Sequence, residues 1–276
     1  MRLNGEISHR DREGEGEGEE EAENELSGKE WREVIEEYSE KHPEVTILDP
    51  PDAIQHLQNR QSMLQDVADL NLSDCYGKVG VPRELFVTKN PSTIPYEITK
   101  AGMKLPLVAK PLVVDGTAKS HELFLAYDEF SLSELEPPLV LQEFVNHGGL
   151  LFKIYIVGET IKVVRRFSLP NISEHELSKV DGLFRFPRVS CAAASADEAD
   201  LDPTIADRTN SSNSLSCWGL HLFNIDMIRE YGTKNVFYVI DINYFPGYGK
   251  MPDYEHVFTD FLLSLVQNKF KKRPDT

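Results

Sequence analysis

The chain has 276 residues, 40% of them hydrophobic and 9% aromatic, which is enough apolar material for one or two ordinary cores. Its formal net charge of −17 argues against nucleic acid or an anionic membrane as the main partner, since both call for a broad basic surface. The three cysteines, Cys75, Cys191 and Cys217, form no C-x-x-C pair, so neither a disulfide framework nor a zinc site is suggested.

Ten acids against three bases crowd residues 1–28, which include the tract E-G-E-G-E-G-E-E-E-A-E. Such a segment repels itself and has nothing to bury, so it reads as disordered. It carries no apolar h-region, and no run in the chain approaches the roughly 18 apolar residues of a membrane span. The expected compartment is the cytosol, with the nucleus open as well. From Glu30 the residues Trp31, Val34, Ile35 and Tyr38 recur at helical spacing as far as His42-Pro43, and Val45–Leu48 reads as a short strand. Pro51 and Asp52 supply a start signal for a helix over about Asp52–Leu70. Strands are then predicted at Leu85–Thr88, Leu107–Val114, Leu123–Ala126, Leu139–Val145, Leu150–Val157 and Ile161–Phe167, from Val/Ile/Leu/Phe runs punctuated by Pro, Gly or Asn. Gly158-Glu159 is short enough for a hairpin turn. Residues 191–216 are Ala, Ser, Asp and Asn and read as a mobile loop. Strands at Leu220–Ile225 and Val236–Ile242 follow, and then a helix over Tyr254–Phe270 with Val257, Phe258, Phe261, Leu262 and Leu265 on one face. The fold class is α+β, with antiparallel sheets flanked by helices.

Four stretches have the composition of chemistry. In Val239-Ile240-Asp241-Ile242-Asn243 the two polar residues share strand parity and present oxygens together. Asp226, ending the Leu222–Ile225 strand, would lie beside Asp241 if the two strands pair. Two carboxylates and an amide suit magnesium with positions left for water and phosphate; equally, polar residues of this kind end strands and begin turns. Lys110 interrupts a buried-looking Leu105–Pro111 run, either to hold nucleotide phosphates or as an edge lysine that snorkels to water. The polar loop Asp115–His121 has the composition of an anion-cradling turn, although His121 by itself is as well explained by packing or exposure. The strand Leu139–Gln142 leads through Glu143, Phe144 and Val145 to His147-Gly148-Gly149 and on to Lys153, offering backbone hydrogen bonds beside apolar walls, as an adenine needs; an ordinary hairpin reads the same. Seven basic residues against four acids over 153–188 give a locally positive strip on an acidic chain, in which Lys162 and Arg166 share parity.

Taken in order, D-P-P-D-A-I, N-R-Q-S-M-L, L-V-A-K-P, D-G-T-A-K-S-H-E-L, L-Q-E-F-V-N-H-G-G-L-L-F-K-I-Y-I-V-G-E, V-V-R-R-F-S-L-P, L-F-N-I-D-M-I and V-I-D-I-N-Y-F-P-G-Y resemble the inositol 1,3,4-trisphosphate 5/6-kinase family. The likeness spans about Trp31–Val266 and is nearest to the plant members, also called inositol-tetrakisphosphate 1-kinases. The resemblance implies an ATP-grasp fold over 52–270, preceded in 29–51 by the remnant of a small α/β domain. It implies ATP as co-substrate, magnesium, two ions by expectation, and inositol polyphosphates as the other ligand of a monomeric enzyme. Carried over by matching motif, Arg60 and Lys110 resemble nucleotide-phosphate contacts, Gln142, Glu143, Phe144, Val145 and Lys153 the adenine side, and Ser168 a further ATP contact. His121, Lys153 and Asn243 resemble inositol-phosphate contacts with Gly247 close by, and Asp226, Asp241 and Asn243 the magnesium ligands. No residue is assigned as a general base. Two departures stand out. Glu25 occupies a place where the family has a positive substrate contact, so that part of the N-terminal domain is expected to be missing. The short Thr209–Ser216 replaces a basic amphipathic helix. The first alternative, motivated by Glu25 and the missing N-terminal part, is a chain that binds ATP without kinase turnover; behind it stands an ATP-grasp ligase joining a carboxylate to an amine, which the fold permits and the family-specific motifs disfavour.

Overall fold

The computed structural model describes residues 32–55, 57, 60–69, 77–112, 119–186 and 219–271. The acidic tract, Glu25, the Asp115–Ala118 part of the polar loop and the whole of 191–216 lie outside the described residues. The chain divides into two compact units, Met1–Pro51 and Asp52–Thr276.

In the first unit, helix α1 covers 32–41. Its turns are tied on the outside by ion pairs of i,i+4 spacing, Arg32 with Glu36 and Lys41 with Glu37, each of which adds only a few tenths of a kcal/mol in such exposed positions. The strand expected over Val45–Leu48 does not form. That stretch is irregular, with bends at Val45 and Leu48, because a strand needs a ladder partner and the described residues of this unit offer none.

Helix α2 (Pro51–Gln55) begins at the boundary between the units, and α3 (Arg60–Asp69) follows it in the second. The single helix expected over Asp52–Leu70 is therefore broken, with Leu57 in a turn whose N–H reaches Ile54 O at 2.9 Å. Two five-stranded sheets follow. The first has the order β1-β10-β9-β6-β7, from β1 (Lys78–Gly80), β6 (Leu150–Val157), β7 (Thr160–Phe167), β9 (Leu222–Arg229) and β10 (Val236–Tyr244). It is antiparallel except for the short β1, which pairs parallel with β10. The second has the order β2-β5-β3-β4-β8, from β2 (Glu84–Val87), β3 (Leu107–Pro111), β4 (Phe124–Ala126), β5 (Leu139–Glu143) and β8 (Leu183–Arg185). It is antiparallel throughout. The α+β expectation holds, and β1, β8 and the helix over Ile94–Ala101 are elements the hydropathy pattern did not mark.

Each sheet has its own core. Ile156, Phe223, Ile225, Val239 and Ile242 of the first sheet pack with Leu57, Met63, Leu64 and Val67 from the α2–α3 segment. Val87, Leu107, Ala109, Leu139 and Leu141 of the second pack with Ile94 and Ile98 of helix α4 (Ile94–Ala101). Helix α4 follows an Asn90-capped turn and stops at Gly102 with φ 63°, the left-handed C-cap that glycine takes without strain. Pro91 opens the preceding 3-10 turn and Pro95 the first turn of the helix, where a missing N–H costs nothing. Strand alternation puts Glu84, Val108, Lys110, Val140 and Gln142 on the opposite face of the second sheet. That face is buried too, at Val108, Lys110, Val140 and Gln142, and together with its counterpart on the first sheet it carries the polar chemistry.

The β6–β7 hairpin closes through Gly158-Glu159 as expected, with Gly158 at φ 60°. Helix α5 (Glu174–Leu177) is a single turn begun by a Ser173/Glu176 capping box. The last helix, α6 (Tyr254–Lys271), packs Phe258 on Tyr248 at 4.7 Å between ring centroids, and Tyr248 in turn on Tyr155 at 5.8 Å. Phe261 is buried, but Leu262, expected on the same face, is 51% exposed: the stripe is narrower than the pattern implied, since Leu262 stands one position on from the buried Phe261, about 100° around the helix.

Candidate nucleotide and metal site

Asp226 does not end its strand. Strand β9 runs on to Arg229, so Asp226 lies mid-strand, directly opposite Asp241 of β10, and Asn224 lies opposite Asn243. On its other side β9 pairs with β6, with Lys153 opposite Asp226 and Tyr155 opposite Asn224. Opposed residues in antiparallel strands share a face, so two carboxylates, two amides and a lysine form one patch on three adjacent strands. Lys153 Nζ sits 2.8 Å from Asp226 Oδ1 and donates to Oδ2 at 3.1 Å. Asn224, fully buried, donates through Nδ2 to Asp226 Oδ1 at 2.8 Å. Burial raises the Asp226 carboxyl above the ordinary aspartate range, with Lys153 opposing. Two buried oxygens in this patch, Asp241 Oδ1 and Asn224 Oδ1, receive no hydrogen bond. Unsatisfied buried acceptors are costly, and carboxylate and amide oxygens facing one another are the hard donors that magnesium takes. The donor set fits that ion. No group of three His, Cys, Asp or Glu side chains suited to a metal occurs among the described residues.

The register of β9 and β10 shifts between Val239 and Asp241. This bulge keeps Val239 and Ile242 in the core while Asp241 stays opposite Asp226. At the shift, Ile240 O accepts from Lys110 Nζ at 2.7 Å. Lys110 therefore spans from β3 of the second sheet to β10 of the first. It is buried, and its second partner is Gln142 Oε1 at 2.9 Å. Burial lowers the Lys110 ammonium to about 8, against the pull of Asp241. Arg60, at the start of α3 and 3% exposed, donates to Pro111 O at 2.5 Å and lies 3.6 Å from Asp241 Oδ1. Three cations, Arg60, Lys110 and Lys153, thus face two carboxylates where the two sheets meet. That surplus suits a polyphosphate chain.

The segment joining β5 to β6 is held from several sides. Glu143 N and Phe144 N donate to Arg83 O and Pro106 O at 2.9 and 3.1 Å, and Glu143 Oε1 accepts from Lys104 N at 2.9 Å. His147 is bonded through Nδ1 to Val145 O at 2.7 Å and through Nε2 to Ser168 Oγ at 2.8 Å, so Ser168 is a structural partner of this segment. The Asn146 side chain exchanges two hydrogen bonds with Ile172, at 2.8 and 2.9 Å, while Asn171 Oδ1 accepts from Gly148 N at 2.7 Å.

Of the residues singled out from sequence, Arg60, Lys110, Gln142, Lys153, Asp226, Asp241 and Asn243 come together. Glu143 ends β5, and Phe144 and Val145 lie on the strap between the sheets, with Ser168 bonded to it through His147. His121, itself exposed, ends a 3-10 turn, Lys119–His121, that follows the undescribed part of the polar loop. Gly247 opens the Tyr248–Lys250 turn, and open space surrounds the place of a Cβ there. Arg166 of β7 holds that turn by donating to Lys250 O at 2.7 Å, so Arg166 is spoken for structurally. Sequence reading missed Asn224 and Glu84. Asn224 was findable, since it shares parity with Asp226 two residues on. Glu84 carried no signal of its own, because only the β2–β5 register sets it opposite Gln142.

A family profile described as the inositol 1,3,4-trisphosphate 5/6-kinase ATP-grasp domain matches residues 73–264, and the corresponding pre-ATP-grasp domain matches residues 24–54. Inositol-tetrakisphosphate 1-kinase 4 of Glycine max is 81% identical over 253 residues, covering 88% of this chain and 74% of that protein. Inositol-tetrakisphosphate 1-kinase 3 of Arabidopsis thaliana is 67% identical, covering 89% of this chain and 72% of that protein. With that profile matched along the whole stretch that builds both sheets, the chain is an ATP-grasp kinase belonging to the inositol 1,3,4-trisphosphate 5/6-kinase family.

Proposed function

We propose that the chain transfers the terminal phosphoryl group of ATP to a hydroxyl of an inositol polyphosphate, with magnesium held by Asp226, Asp241 and Asn243. The observation that carries this reading is the reach of Lys110 from one sheet to Ile240 O of the other, which places a buried ammonium beside the Asp226/Asp241 pair. Substrates in this reading are inositol 1,3,4-trisphosphate, at the 5- or 6-hydroxyl, and inositol 3,4,5,6-tetrakisphosphate, at the 1-hydroxyl. Magnesium, two ions in this reading, would be held by Asp226, Asp241 and Asn243 and would supply charge neutralisation to the transferring phosphates.

The protein's own share is positioning and charge. Lys110 and Arg60 take the nucleotide phosphates, and Gln142, Glu143, Phe144 and Val145 take the adenine side with Ser168 beyond. Lys153 stands between the nucleotide and the inositol phosphate, close enough to Asp226 to exchange a carboxylate for a phosphate oxygen as its partner. His121 and Asn243, with Gly247 nearby, bind the inositol phosphate. Phosphoryl transfer asks for little covalent chemistry from a protein, so fixed cations around the reacting oxygens supply most of the acceleration. The enzyme acts as a cytoplasmic monomer, with the nucleus as a second compartment.

Purified protein incubated with magnesium, labelled ATP and a panel of inositol tris- and tetrakisphosphates tests this: a labelled product with one or more isomers is expected. Thermal stabilisation by ATP with no labelled product from any isomer would show a nucleotide-binding protein without kinase turnover. Phosphate release only when an amine and a carboxylate are both supplied would point to the ligase chemistry instead.

A further inference from the structure

Lys110 is held by a side chain that is itself held. Gln142 presents Oε1 to the ammonium at 2.9 Å, and its other end, Nε2, donates to Glu84 Oε1 at 2.5 Å. The three residues lie on one face of three neighbouring strands, because Glu84 is opposite Gln142 and Lys110 is one diagonal step away, opposite Val140. A glutamine amide can be turned end for end with little change of shape. Only one orientation puts an oxygen on the lysine, and that orientation leaves an N–H₂ to be satisfied in a buried place. Gln142 is 3% exposed and Val108 and Val140, its apolar neighbours, accept nothing. Among the described residues, Glu84 is the acceptor bonded to it.

We infer that Glu84 is a positioning residue for the nucleotide site: by accepting from Gln142 it fixes the amide with its oxygen toward Lys110 and so sets where the ammonium meets phosphate. The inference rests on the kinase reading only in taking Lys110 as a nucleotide contact. Burial raises the Glu84 carboxyl to about 7, and an oxygen remains to accept from Gln142 in either protonation state, so the role does not hinge on charge.

The test is MgATP affinity, by calorimetry, with steady-state KM values for both substrates. Glu84→Leu removes the acceptor and is expected to weaken MgATP binding about tenfold, the cost of a lost hydrogen bond to a charged network, with KM for the inositol phosphate unchanged. Glu84→Gln keeps an acceptor and is expected to restore affinity to within about twofold of wild type. In a Lys110→Ala background, Glu84→Leu should leave MgATP affinity where it was, since the effect runs through the lysine. Equal losses for both substrates, failure of the Gln variant to rescue, or a full extra loss in the Lys110→Ala background would overturn the inference, as would wild-type protein that binds no MgATP. Binding without phosphoryl transfer, with the same variant pattern, would sink the kinase reading and leave the role of Glu84 standing.

Discussion

At the scale of single residues, the site balances charges that would each be costly alone. Asp241 has Arg60 3.6 Å from one oxygen and no hydrogen bond at that atom, whereas Asp226 is bonded by Lys153 and Asn224 and would take a metal ion in exchange for the Lys153 contact. Asp241→Asn keeps the shape and removes the charge. It should lower kcat by about 100-fold or more with little change in melting temperature, read from kinase assays and thermal denaturation of the same preparation. Glu84 gives a signature in pH. Its carboxyl loses a proton near 4.5 when unfolded and near 7 when folded. Between those values the folded state binds more protons, so this group's contribution is fully present below 4.5 and is lost as pH rises through 7. Glu84→Gln should flatten the decline in unfolding free energy across that window by up to about 3 kcal/mol in chemical denaturation. An unchanged slope would mean that Glu84 titrates normally.

Elements transmit these placements. The two-residue turn at Gly158 packs against α6 so tightly that a Cβ there would lie 2.5 Å from the Phe261 ring, and the residue sits at φ 60°. Gly158→Ala therefore combines left-handed strain with a clash, and should destabilise by roughly 2–4 kcal/mol in denaturant titration, against near neutrality for an alanine at an open turn. The strap between the sheets is the second such element. Asn146 alone makes a bidentate link to Ile172, and Asn146→Ala should cost about 1–3 kcal/mol of stability and raise KM for ATP severalfold while sparing KM for the inositol phosphate. A uniform rise in both KM values would assign Asn146 to general stability.

For the whole 52–276 unit, the separation of the two cores has a measurable consequence. Ile156 belongs to the core of the first sheet and Ile98 to that of the second, with no shared neighbours in either cluster. Ile156→Val and Ile98→Val should each cost about 1 kcal/mol, and the double variant their sum within about 0.5 kcal/mol. A large deviation would mean that the two cores are coupled more tightly than their membership implies. The polar groups that bridge the sheets, Lys110 to Ile240 and Arg60 to both Pro111 and Asp241, are the same groups assigned to nucleotide. In the proposed reading, nucleotide binding would therefore act on the same contacts that join the sheets.

Much of the fold was legible without coordinates because it depends on local periodicity. Strands β3 to β7 and β10, the Gly158 turn and helix α6 follow from apolar runs and their punctuation, and the parity of Asp241 and Asn243 follows from the two-residue repeat of any strand. The breaks came where a partner decides: Val45–Leu48 has strand composition but no ladder, and Leu183–Arg185 is a strand only because β4 receives it. The same holds for the site. Sequence order singled out Lys110, Gln142, Asp226 and Asp241 one by one. Their arrangement depends on cross-strand register, on a bulge at Ile240, and on one sheet meeting another. Pairings between residues separated by 15 to 130 positions, such as Asp226 with Asp241 and Lys110 with Ile240, are fixed by burial and hydrogen bonding across the folded chain, which no local pattern encodes.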